Sequence, residues 1–288
     1  SYICAGGVRF VQDHSSGLQN MFARAVGKVR EPASLRLTRA MGLMLKIYPR
    51  DMPNLLAAVF VEMFRSIVAS HADAVRRRGS GGTNVAPNHD LDRPRVIISY
   101  LSTLALLLMQ TPDAFRAVLS SEEVARVTSC TSDVLWSLLV GQWIDRFDEI
   151  GGGATGPWVR KSWVMALCVP LESGDPVAVS RFSEIVNLCV HALADDTTSA
   201  PMFVPSPVKG GGSNGGGVGG GGGGGERMSL EAAARQVQQA SDPVYCKPLK
   251  LTVQNAINQC QASVGQAFQQ AIASTDSTTM SQLQSLLS

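Results

Sequence analysis

Six of the nine prolines in the first two-thirds of the chain, Pro32, Pro53, Pro94, Pro112, Pro157 and Pro176, lie 21, 41, 18, 45 and 19 residues apart. These gaps are close to one or two multiples of twenty. In Asp51-Met52-Pro53, Asp92-Arg93-Pro94, Thr111-Pro112 and Asp175-Pro176 a residue able to cap a helix stands just ahead of the ring. Proline suits the first turn of a helix, where its missing N–H would have no partner and its φ is already helical. Each of the six therefore predicts a helix start, with Asp51, Asp92, Thr111 and Asp175 expected as caps. Helices of one length restarting every twenty residues pair into hairpins of ~40, a period that stacks into an elongated array.

The apolar residues between the prolines keep the helical period. Leu37, Met41, Met44, Leu45 and Tyr48 share one face, as do Leu56, Val59, Phe60, Met63 and Ile67. The stripe Val179, Phe182, Ile185, Val186, Cys189, Val190 and Leu193 is wide enough to touch two neighbouring helices at once. A strand, with its period of two, cannot carry that spacing. Ser120-Ser121-Glu122-Glu123 offers a capping box for a helix expected to run through Leu135, Leu138, Leu139, Trp143 and Phe147 to Ile150, where Gly151-Gly152-Gly153 ends it. Seven or eight helices are expected before residue 195. The fold class that follows is all-α, a HEAT-repeat α-solenoid of antiparallel helix pairs wound into a right-handed superhelix. Such an array points to a binding scaffold rather than a catalyst.

Composition allows a large core, with 45% hydrophobic residues in 288. Cys4, Cys130, Cys168, Cys189, Cys246 and Cys260 show no C-x-x-C pair, and several fall on apolar faces, so they are expected to be reduced core residues. The apolar stretch from Val96 to Pro112 is too short and too rich in Ser, Thr and Gln to span the ~20 residues a bilayer needs, and reads as a buried helix. The opening Ser1-Tyr2-Ile3-Cys4 carries no cap. The array therefore looks cut from a longer one, with Leu18, Met21, Phe22 and Val26 expected on an exposed face.

From Thr197 onward the composition changes. Pro201, Pro205 and Pro207 precede a run from Gly210 to Gly225 broken only by Ser213, Asn214 and Val218, from which no packed core can be built. The expected organisation is a repeat array over 1–196, a disordered Pro/Gly-rich linker or loop insertion over 197–227, and a C-terminal helical cap over 228–288. Within the cap, a helix starting at Ser229 continues through Ala240. Another starts at Asp242-Pro243 and leads to Leu251, Ile257, Cys260, Val264 and Phe268, and a short one runs from Met280 to Leu287.

Motifs for chemistry are weak. Gly211-Gly212-Ser213-Asn214-Gly215 matches a nucleophile elbow only in letters, since it has no strand before it and no helix after it. Ser206-Pro207-Val208-Lys209 lacks the companion motifs of its enzyme class, and Glu226-Arg227 follows the glycine run where a phosphate loop needs Gly-Lys-Ser/Thr. His14, His71, His89 and His191 are scattered, so no metal or cofactor is expected. Trp136, Trp143, Trp158 and Trp163 fall on or beside apolar stripes and are expected in inter-helix packing rather than on a base-stacking platform. Arg76-Arg77-Arg78 fits the C-terminal end of a helix, and no nucleic acid is expected.

Charge is uneven: residues 1–50 hold eight basic and two acidic side chains, residues 110–200 six and twelve. Such blocks are either solvated faces or surfaces for a partner of opposite sign. Asp145, Asp148 and Glu149 are the candidate partner-binding residues. They crowd the end of a helix, where the dipole disfavours negative charge, unless Arg146 or Arg160 neutralises them within the fold.

Trp143-Ile144-Asp145-Arg146-Phe147-Asp148 and Phe182-Ser183-Glu184-Ile185-Val186-Asn187 resemble the closing repeats of importin-11-like β-karyopherins. Ser99-Tyr100-Leu101-Ser102-Thr103-Leu104-Ala105 is similar to an apolar helix of the same family. The tail resembles its C-terminal ending in order and approximate spacing, through Asp242-Pro243-Val244-Tyr245, Gln261-Ala262-Ser263-Val264-Gly265, Phe268-Gln269, Asp276 and Gln282-Leu283-Gln284. The polyglycine run and the segment from Arg76 to Asn88 depart from the family pattern.

The resemblance implies the C-terminal portion of a nuclear import receptor that binds protein cargo and is regulated by Ran-GTP, with Ran contacts mainly in an N-terminal region. It also implies contact with nucleoporin Phe-Gly repeats and shuttling between cytoplasm and nucleus. Neither an enzyme activity nor membrane insertion is expected. A static HEAT scaffold for a cytosolic complex, without a GTPase switch, is the alternative.

Overall fold

The structure, a computed structural model, describes residues 9, 11–79, 94–151, 156–198 and 242–288. The polyglycine run, the two chance motifs beside it, His89, Asp92 and the helix expected from Ser229 lie outside those residues. All regular elements among the described residues are helical: α1 (Ser15–Ala25), α2 (Glu31–Ile47), α3 (Met52–Leu55), α4 (Ala57–Gly79), α5 (Pro94–Gln110), α6 (Pro112–Leu119), α7 (Glu122–Thr128), α8 (Ser132–Asp145), a 3₁₀ turn (Phe147–Glu149), α9 (Gly156–Glu172), α10 (Pro176–Ser180), α11 (Phe182–Thr198), α12 (Pro243–Cys246), α13 (Leu249–Val264), α14 (Gln266–Ala273) and α15 (Ser277–Leu287).

The long helices stack in two layers. In the first, α2 packs on α5, α5 on α9, and α9 on α13. In the second, α1 and α7 pack on α4, α8 meets α11, and α11 packs on α15. Contacts of α4 with α5, of α5 with α8 and of α9 with α11 close one layer on the other. The fold is an all-α solenoid of helix pairs. Its core is continuous, because each long helix presents an apolar stripe to a neighbour on both sides.

Helix α5 shows why. Val96, Ile97, Tyr100, Leu101, Leu104, Ala105, Leu107 and Leu108 are buried around most of its circumference, so it sits between α2, α9, α4, α6 and α8. Each fully buried aliphatic side chain contributes roughly 1.5–3 kcal/mol. The hydroxyls that make it look polar are satisfied inside the helix: Ser102 Oγ donates to the carbonyl of Ile98 at 2.7 Å and Thr103 Oγ1 to that of Ser99 at 2.9 Å. The stripe expected from Val179 to Leu193 is divided between two helices, with Val179 half-buried in α10 and the rest on α11, which starts at Phe182. Phe182, Ile185, Val186, Cys189, Val190 and Leu193 are buried between α9 on one side and the C-terminal helices on the other.

Polar side chains lock the layers together. The backbone N–H of Gly27, at φ +73°, donates to Tyr100 Oη at 3.1 Å, and the same hydroxyl bonds Ser34 Oγ at 3.0 Å, tying α1, α2 and α5. Trp143 Nε1 donates to the carbonyl of Leu101 at 3.1 Å, and Trp163 Nε1 to Ser102 Oγ at 2.9 Å. Phe64, Phe115, Trp136 and Trp143 meet edge to face in succession, with centroids 5.9–6.3 Å apart, running from α4 through α6 into α8. At the C-terminal end Trp158 stacks on Tyr245 at 5.4 Å, Phe182 meets Phe268 at 5.2 Å, and Lys46 Nζ pairs with Asp242 Oδ2 at 2.5 Å.

Several expectations are corrected. Each of the six prolines lies within the first two residues of a helix, but the helices are not of one length. Eleven α-helices begin before residue 195 among the described residues, because short ones such as α3, α6, α7 and α10 turn the chain between long ones. The stacked helices α2, α5 and α9 start at Glu31, Pro94 and Gly156, 62 or 63 residues apart, so the unit is longer than the hairpin of ~40. The helix opened by Ser121, whose Oγ accepts from the N–H of Val124 at 3.3 Å, stops at Thr128. There Ser129 turns left-handed at φ 56°, and Thr131 caps a new helix through Val134. Asp51 and Thr111 make no side-chain cap; the Thr111 hydroxyl donates back to the Leu107 carbonyl at 3.3 Å instead.

Exposure differs from expectation at three more places. Phe22 and Val26 are buried and Leu18 is half-buried, leaving Met21 as the exposed member of the expected patch. The buried stripe of α13 is Leu249, Val253, Ala256 and Cys260, which turns Leu251 out to solvent. Among the described cysteines, Cys168, Cys189 and Cys260 are buried, Cys130 is half-buried and Cys246 is exposed.

Candidate functional site

Asp145, Asp148 and Glu149 come together on one exposed turn. Asp145 ends α8, and the other two lie in the 3₁₀ turn that follows. The turn is pinned from below by Phe147 and Ile150, both buried, so the alternation of apolar and acidic residues points the carboxylates outward.

Two of the three already have partners in the fold. Arg146 Nη1 pairs with Glu149 Oε2 at 2.9 Å, while its Nε donates to Gln142 Oε1 at 2.8 Å and its Nη2 to Ser70 Oγ of α4 at 3.4 Å. Gln142 Nε2 also lies 3.2 Å from His71 Nδ1, so α4 and α8 share one polar seam beneath the acidic turn. Asp145 lies 3.8 Å from Arg181 Nη2. That guanidinium is raised above its ordinary range, chiefly by its hydrogen bond to Glu184, with Asp145 adding and burial opposing. Asp148 is exposed and makes no ion pair within the described residues. Arg160 turns away from all three: it pairs with Asp195 at 2.8 Å and donates to the carbonyl of Ile150 at 3.3 Å.

This arrangement of carboxylates can attract a cationic group. Among the described residues no three of His, Cys, Asp and Glu gather to hold a metal ion, and no helix is long and apolar enough to cross a membrane. Arg77 pairs with Asp73 one turn earlier in α4 at 2.9 Å, and all four tryptophans are wholly or partly packed in the core. The i, i+4 spacing of Gln142 and Arg146 made their bond legible in sequence. Ser70, Arg181 and Asp195 were not foreseeable as partners, because they arrive from other helices and no local signal marks them.

Two layers of antiparallel helices around one continuous core define a helical-repeat solenoid. Residues 1–288, the whole chain, match the family described as importin-11-like, TPR repeats, and the chain belongs to that family. Among curated proteins it is similar to Importin-11 of Homo sapiens and Importin-11 of Mus musculus, each 23% identical over 288 residues. Those matches cover 99% of this chain and 27% of each relative, so the chain spans about a quarter of their length. No solved structure matches it. The family description names TPR repeats where the proline spacing predicts HEAT. Both are stacked helix pairs, of about 34 and about 40–47 residues, and the units here are longer than either.

Proposed function

We propose that the chain is the C-terminal portion of a nuclear import receptor, with the array of 1–196 and the helical cap of 228–288 forming one wall of a cargo-holding arch. The observation that carries this reading is the match of all 288 residues to an importin-11-like repeat family. The solenoid form supports it: stacked helix pairs present a long surface, and small rotations at each interface add up to a change of pitch. In this reading the receptor binds protein cargo, meets nucleoporin Phe-Gly repeats, releases cargo when Ran-GTP binds, and shuttles between cytoplasm and nucleus. It has no enzymatic activity and takes no cofactor. Asp145, Asp148 and Glu149 belong to the cargo surface and face a basic partner.

The test is cargo binding by a receptor containing this chain, measured with Ran loaded with GTP and with GDP. Release by the GTP form alone is expected. Binding that persists equally with both would replace the transport reading by a static scaffold.

A further inference from the structure

We propose that the shallow groove between the end of α1 and the start of α2 is a docking site for an acidic amphipathic peptide. Its floor is apolar, made by Ala25 and Val29 on one side and by Pro32 and Leu37 on the other, and Arg30 and Arg36 close its rim. Both arginines are exposed. Arg24 and Lys28 stand next to floor residues in sequence, and Arg39 follows Arg36 one helical turn later; all three are exposed as well.

None of these five cations takes part in the ion pairs found among the described residues. Glu31, the carboxylate nearest in sequence, turns toward Arg95 of α5 at 3.7 Å. Two arginines lining an apolar trough, with three more exposed cations close by in sequence, favour a partner bearing carboxylates, which they would draw in and orient.

The floor decides between classes of polyanion. A single-stranded nucleic acid needs aromatic faces on which bases stack, and the groove has none. Ala25, Val29, Pro32 and Leu37 instead offer a depression for aliphatic or aromatic side chains. The occupant that fits both features is a peptide with Asp or Glu flanking two apolar side chains one helical turn apart, laid into the groove on its apolar face. This inference does not depend on the nuclear-transport reading, because it concerns the sign and shape of one surface.

The experiment uses the 288-residue chain and a fluorescein-labelled, helix-forming peptide in which glutamates flank two leucines four residues apart. Binding is followed by fluorescence anisotropy at low ionic strength. Saturable binding is expected, weakened about tenfold or more by Arg30→Glu with Arg36→Glu, and abolished by Ala33→Trp, which fills the trough from an exposed helical position. Circular dichroism identical to the parent shows that both variants fold. If a variant misfolds, competition by the unlabelled peptide against the same peptide with both leucines changed to serine gives the same answer. Three results overturn the proposal: no saturable binding, equal affinity for the serine peptide, or tighter binding of a single-stranded oligonucleotide that Ala33→Trp leaves intact.

Discussion

Trp136 Nε1 donates to Asp175 Oδ1 at 3.0 Å, and the same oxygen accepts the backbone N–H groups of Val177 and Ala178, each at 3.0 Å. One carboxylate oxygen therefore caps α10 and anchors the indole of α8 across 39 positions of sequence. Asp175→Ala removes the cap and strands a half-buried indole N–H, and its cost is about 1–3 kcal/mol. Asp175→Asn keeps an acceptor oxygen and costs less. Urea unfolding monitored by tryptophan fluorescence ranks the two, and equal midpoints would show that the charge and not the geometry matters.

Gly174, the residue before that cap, adopts φ +68°, and a Cβ placed on it would lie 2.6 Å from Val264 Cγ1 of α13. Gly265 also has a positive φ, +40°, but open space around it. Gly265→Ala therefore carries backbone strain alone, about 1–3 kcal/mol. Gly174→Ala adds a clash that pushes α13 from its seat. The expected outcome is a larger loss of stability for Gly174→Ala, together with faster proteolysis between α11 and α13. Matching cleavage rates for the two variants would remove the clash from the account.

The apolar stripes of α5 and α11 were legible because burial on several sides leaves a long, unambiguous period. The proline signal was equally legible, since it is a local property of one ring and one backbone donor. What the pattern could not show was where helices break inside polar runs. The left-handed turn at Ser129 lies between Thr128, whose hydroxyl bonds back to the Val124 carbonyl, and Thr131, which accepts from the Val134 N–H, and Ser129 or Ser132 suits a cap as well as Thr131 does. The choice of Leu249 over Leu251 was likewise made by packing against α9, since both residues suit a helix. Within the acidic turn, Arg146 was a foreseeable partner and Arg181 was not, because only the first is local.

Thiol reactivity separates core from surface. A hydrogen bond to Cys189, then burial, pushes the Cys168 thiol well above its ordinary range. Cys246 is exposed. In the native protein at pH 8, iodoacetamide is expected to modify Cys246 readily and to spare Cys168 and Cys260 until denaturant is added. The native state also holds the Cys168 proton more tightly than the unfolded chain does. Its contribution to stability is thus complete below the ordinary thiol value of about 8.5 and declines as pH rises beyond it. Mass spectrometry of the alkylated peptides checks the first part. Early modification of Cys168 would contradict its place between α9 and α11.

The acidic turn offers the sharpest test of a partner surface. Asp145→Asn, Asp148→Asn and Glu149→Gln together remove two exposed ion pairs, each worth about 0–1 kcal/mol at a surface. Arg146 keeps Gln142 and Ser70, and Arg181 keeps Glu184, so the fold is expected to survive with its melting temperature changed by a few degrees at most. If the three carboxylates meet a basic partner, affinity for a lysine-rich cargo segment falls in the triple variant. The gap from the parent then narrows as salt shortens the screening length from ~10 Å at 0.1 M. Asp148, which has no ion pair among the described residues, is expected to account for more of the loss than Glu149, since binding through Glu149 competes with Arg146. Identical affinities for parent and variant at low ionic strength would return the turn to a solvated role.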